Sequence, residues 1–129
     1  MPVEHSWDEP RRILRTRLWG RVTRDEMLRN GEEVAKDPRI VSPFQEIVDL
    51  GDITSHDLTL DDIRDIVRID VDSYEKLKGQ RQAIVASTGE LESMALSYAT
   101  MSKVHGWPAT IRIFKSYEEA KRWLASPND

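Results

Sequence analysis

The chain has 129 residues, 33% of them charged, yet 19 Lys and Arg against 23 Asp and Glu leave a formal net charge of only -4. That length is enough for one domain with its own core, and the near balance of charge supplies no overall field toward nucleic acid or anionic lipid. Zero cysteines exclude disulfides, thiol catalysis, iron–sulfur clusters and thiolate zinc sites. The chain opens with neither a basic segment nor an apolar one of signal-peptide type, and no apolar run approaches the roughly 18 residues of a membrane span. A cytoplasmic protein without a membrane span is therefore expected. No repeat, low-complexity stretch or linker divides the chain, so residues 1–129 read as a single domain. Its core runs from about residue 11 to 125, with a loose head through Pro10 and a loose tail from Ser126 to Asp129.

From Arg11 to Val22 the side chains alternate, Leu14, Thr16, Leu18 and Val22 on one side against Arg15, Arg17, Trp19 and Arg21 on the other. This is the pattern of a half-buried strand, and Gly20 marks a bulge or bend in it. Thr23 and Glu26 form a capping box for a helix from about Arg24 to Lys36, which Asp37-Pro38 stops. Phe44 to Leu50 predicts a second strand, and Gly51 to Asp57 a loop. Thr59 then caps a helix that ends near Ser73, although Asp70 and Asp72 interrupt its apolar phase. Gln82 to Ala86 predicts an interior strand. A helix from Gly89 follows, its face lined by Leu91, Met94, Ala95, Tyr98 and Met101 and its end marked by Gly106 and Pro108. Thr110 to Phe114 predicts the last strand, and Ser116 caps a last helix, Tyr117 to Ala125, with Ala120, Trp123 and Leu124 inward. Strand and helix alternate throughout, which points to an α/β sheet that is parallel in its later part.

Several stretches carry a resemblance: Leu18-Trp19-Gly20-Arg21-Val22-Thr23, Ile47-Val48-Asp49-Leu50, Ala83-Ile84-Val85-Ala86, Met94-Ala95-Leu96-Ser97-Tyr98, and the closing run from Ile111 to Leu124 with Glu118-Glu119-Ala120 and Trp123-Leu124. In this order and spacing the chain resembles the STAS and SpoIIAA-like proteins, in particular a small bacterial STAS/SEC14-like branch. The resemblance implies a SpoIIAA-like α/β fold: a four- or five-stranded mixed sheet, its first strand antiparallel to its neighbour, with four amphipathic helices. It also implies a non-enzymatic, regulatory binding role. Regulatory members phosphorylate a serine a few residues after the second strand. Here Leu58 stands at that position, with Asp57 before it and Thr59 after it.

Asp49, Asp52, His56 and Asp57 gather carboxylates and an imidazole beyond a strand end, the edge where α/β sheets bind ligands. A hydrolase using His56 needs a nucleophile held against the ring, and Ser55 is too close in sequence for that geometry. A solvated acidic loop explains the cluster more simply. His5, His56 and His105 match no metal spacing, and no glycine-rich phosphate loop occurs, so neither a metal nor a cofactor is expected. Six arginines between Arg11 and Arg24 face ten acids in residues 46–75. The two sets answer each other within one molecule or across a dimer, which leaves no surplus for nucleic acid. Met94, Tyr98 and Met101, with Trp123, are candidates to line a small apolar, lipid-like ligand. A sheet face bearing Ile47, Val85 and Trp19 would favour a homodimer. The expected function is thus a binding module for a protein partner or a small ligand, with Asp49, His56, Asp57, Thr59, Met94, Tyr98, Met101 and Trp123 as candidate ligand contacts and a carrier of an apolar ligand as the alternative.

Overall fold

Alternation along five strands builds one sheet with two differently used faces. The structure, a computed structural model, describes residues 3–8, 12–38, 44–73, 81–107 and 110–126. The elements in chain order are β1 (Val3–Asp8), β2 (Ile13–Val22), α1 (Arg24–Lys36), β3 (Gln45–His56), α2 (Leu60–Ser73), β4 (Arg81–Val85), α3 (Gly89–Val104), β5 (Thr110–Phe114) and α4 (Tyr117–Ala125). The strands lie side by side in sequence order. β1 is antiparallel to β2, and β2 to β5 run parallel. Pro43, Gly79, Pro108 and the expected loose tail beyond Ser126 lie outside the described residues.

Right-handed crossovers between parallel neighbours taken in order place their helices on one side. α1 accordingly packs on α2 and α2 on α3, and the shared core includes Leu18, Val22, Leu50, Ile84, Leu91 and Ala95. α4 returns across the opposite face, where Ala120, Trp123 and Leu124 cover Ile13, Ile47, Ala83 and Val85. Each helix begins at a hydroxyl. Thr23, Thr88 and Ser116 accept the N–H of Glu26, Leu91 and Glu119. Thr59 accepts the Asp62 N–H while the Asp62 carboxylate accepts the Thr59 N–H.

Three expectations need correcting. The head, expected to fray, contains β1: Val3, His5 and Trp7 point to the helical side, and Trp7 meets Phe44 edge-on at 5.7 Å between ring centroids. The predicted loop after Leu50 continues β3 to His56, because β2 supplies a parallel partner along that length, through register shifts on either side of Gly20. Gly20 itself has φ +69, the left-handed conformation that glycine adopts without strain. Finally, the face expected to be an apolar dimer patch is occupied. Ile47 and Val85 lie beneath α4, and the Arg17 guanidinium covers the Trp19 ring at 4.9 Å.

β3 is also much longer than its other neighbour. It pairs with β4 only from Glu46 to Asp49, so from Asp52 to His56 it pairs with β2 alone. The two strands therefore run past the rest of the sheet as a ribbon.

Candidate functional site

Beneath α1, α2 and α3 lies a cavity of about 70 Å³. Its walls are mostly apolar: Leu18, Val48, Leu50 and Ile84 from the sheet, with Met27, Ile63, Ile66, Met94 and Ala95 from the helices. Leu58, at the position where the resemblance places a phosphorylated serine, also lines it. Among these apolar groups stand Thr16, Asn30, Asp70, Gln82 and Tyr98. A few polar groups converging in an apolar hollow are the usual make-up of a small-molecule site.

Those polar groups form two connected sets. In the first, Thr16 Oγ1 donates to Glu46 Oε2 at 2.7 Å and Gln82 Nε2 donates to Glu46 Oε1 at 2.6 Å. His5 joins from β1, with Nδ1 3.0 Å from Thr16 Oγ1 and Nε2 3.0 Å from Asn30 Oδ1. Glu46 is fully buried. In the second set, the Tyr98 hydroxyl donates to Asp70 Oδ2 at 2.5 Å. Burial pushes the Asp70 carboxyl up to about 7; the Tyr98 hydrogen bond opposes that shift and the nearby Glu46 adds to it. Asp70 Oδ1 and Gln82 Oε1 are buried without a hydrogen-bond partner. Oδ1 lies so close to α1 that a Cβ added at Gly31 would sit 2.5 Å from it.

The structure brings only Met94 and Tyr98 of the candidate contacts to this cavity. Trp123 lies on the far side of the sheet, in the core under α4. Met101 is half-buried beside Leu96, Ser97 and Thr100 on the outer side of α3. Asp49 accepts from Arg15 Nη2 at 2.6 Å and from the Gly51 N–H. Asp57 pairs with Arg21 at 2.8 Å, as Asp52 does with Arg17. Arg24 continues this series to Asp65, whose carboxyl its hydrogen bond holds below the usual range. His56 Nδ1 accepts the Leu58 N–H, and Nε2 faces Glu90 at 3.5 Å. Thr59 is engaged in its cap. The acidic cluster of the sequence is therefore spread along the β2–β3 ribbon, each Asp held by an arginine. The residues that do converge, Thr16, Asn30, Glu46, Asp70 and Gln82, carry a signal that their polarity obscures. Each occupies an inward position of a strand or helix whose neighbours at the same spacing are apolar.

No protein-family model matches the chain, and no curated protein matches it. Among solved structures it is similar to an uncharacterised protein of the DUF3478 family with a SpoIIAA-like fold from Shewanella loihica PV-4. The TM-score is 0.58 at 17% identity, over 95% of this chain and 91% of that one. No helix among the described residues is long and apolar enough to cross a membrane. The five strands in a mixed sheet and four helices among the described residues, together with this likeness, give the chain a SpoIIAA-like α/β fold.

Proposed function

We propose that the protein is a non-enzymatic, cytoplasmic binding module that takes a small, largely apolar ligand into the cavity under α1, α2 and α3, and that ligand occupancy serves a regulatory role. The observation that carries this is the cavity itself, which mixes apolar walls with polar groups from three helices and two strands. At about 10–15 Å³ per water-sized probe, its 70 Å³ suit roughly five heavy atoms. A lipid-like acyl chain, the carrier alternative, requires the helices to part. A protein partner is the second reading, supported by Leu96 and Val104, 52% and 79% exposed on the outer side of α3.

Methyl-detected NMR tests the cavity directly. Titration with 1-butanol is expected to shift the methyl resonances of Met27, Met94, Ile63 and Ile66 saturably, and Ala95→Leu, which fills the same space, is expected to abolish those shifts while leaving the protein folded. Methyl resonances that do not respond, or that respond equally in Ala95→Leu, overturn the proposal.

A further inference from the structure

Resting on that cavity as a ligand site, we propose that the polar end of its ligand is a hydrogen-bond donor, specifically the ammonium group of a short aliphatic amine, received by Asp70 and Gln82. The buried acids differ in what each has opposite it. Asp49 has the Arg15 guanidinium at 2.6 Å. Glu46 takes hydrogen bonds from Thr16 and Gln82, and Thr16 connects it to His5. Asp70, only 4% exposed, has a neutral phenol on Oδ2 and no hydrogen-bond donor on Oδ1.

Gln82 adds a second acceptor. Its Nε2 must donate to the Glu46 carboxylate, which fixes the amide orientation and turns Oε1 into the remaining group. That Oε1 is likewise without a hydrogen-bond donor, on a residue 1% exposed. Both residues line the same small cavity. A buried acceptor without a donor is costly, and more so when it is charged, so a ligand is selected by what it donates. A carboxylate ligand brings more acceptors and a repulsive charge. An alcohol donates one proton, whereas an ammonium donates three and carries the charge that an ionised Asp70 lacks opposite it. The apolar walls then take a chain of about four carbons.

Protonation of Asp70 competes with such a ligand, since the carboxyl, pushed up to about 7, must be ionised to receive an ammonium. Among the described residues, the titratable groups that act on it are Tyr98 from α3 and Glu46 from β3, the latter linked through Thr16 to His5 of β1, while α1 approaches it at Gly31. Affinity for the amine is therefore expected to rise with pH through neutrality, while affinity for an uncharged probe stays level.

The test titrates n-butylamine, 1-butanol and butyrate against the methyl resonances of Met27, Met94, Ile63 and Ile66, in wild-type protein and in Asp70→Asn. At about pH 8 the amine is expected to bind about tenfold more tightly than the alcohol, a difference of one hydrogen-bonded charge, with butyrate weakest. Asp70→Asn is expected to erase that preference and its pH dependence while keeping alcohol binding. In wild-type protein alone, amine affinity is expected to fall about tenfold between about pH 8 and pH 6, a readout that does not depend on the variant folding. Alcohol binding equal to amine binding, or an amine preference unchanged in Asp70→Asn, overturns this inference and leaves the cavity proposal standing. No response to any of the three probes overturns both.

Discussion

The proton on Asp70 ties the folded state to pH. The folded carboxyl titrates at about 7, against roughly 4 in an unfolded chain, so between those values the folded state holds a proton that the unfolded state has released. Stability from this group is fully present below about pH 4 and declines as pH rises through neutrality, by an amount on the order of a few kcal/mol. Urea unfolding of wild-type protein and Asp70→Asn between about pH 5 and 8 is expected to show a slope in the former that is absent in the latter, with Asp70→Asn the more stable at the alkaline end. Parallel slopes would assign the pH dependence to another group. The neighbouring set illustrates the same economy of protons. Thr16 has one hydroxyl proton and donates it to Glu46, so the 3.0 Å contact between His5 Nδ1 and Thr16 Oγ1 takes its proton from the ring. Asp70 makes no hydrogen bond to this set and holds its proton apart from it.

At the level of elements, α1 and α2 approach each other closely at Gly31. An added Cβ at Gly31 would meet Asp70 Oδ1 at 2.5 Å and Ile69 Cγ2 at 3.1 Å. Alanine is favoured over glycine in a helix by about 1 kcal/mol, but crowding a packed contact costs about 1–3 kcal/mol. Asp70 also cannot swing aside without leaving Tyr98. Gly31→Ala is therefore expected to lower the urea midpoint by the equivalent of about 1 kcal/mol or more, and an increase would show that α1 shifts freely over α2. All four helices were legible in the sequence: three starts are marked by hydroxyl caps at Thr23, Thr59 and Ser116, and α3 by its apolar face from Leu91 to Met101, its own cap at Thr88 being added by the structure. The cavity was legible only in part. Met94 and Tyr98 stand out from the α3 pattern, whereas Asp70 reads as a flaw in the α2 pattern when it is an inward-facing residue. A hydropathy pattern registers which residues avoid water but not which buried polar groups find partners elsewhere in the chain.

Across the whole molecule, the elements hardest to see in the sequence are those that depend on a distant partner. β1 holds His5 between Val3 and Trp7, so its apolar alternation is broken, and Thr16 of β2 with Asn30 of α1 supplies the half-buried ring with hydrogen-bond partners there. The end of β3, Gly51-Asp52-Ile53-Thr54-Ser55-His56, is poor in strand formers and is extended because β2 pairs with it. The arginines of β2 reinforce this pairing: Arg15, Arg17 and Arg21 reach Asp49, Asp52 and Asp57, with the aspartate side chains progressively more open to solvent toward the ribbon's end. Because that ribbon has β4 beside it only as far as Asp49, it can peel from its free end while the body of the sheet stays closed. Exposed ion pairs are screened by salt over a Debye length of about 8–10 Å. Amide exchange at Ile53, Ser55 and His56 is therefore expected to accelerate with added salt, while exchange at Ile47 and Val48 holds steady; an equal response at both would show that the strands part only together. The ribbon would then act as an ionic-strength-sensitive fray at one end of an otherwise indifferent sheet.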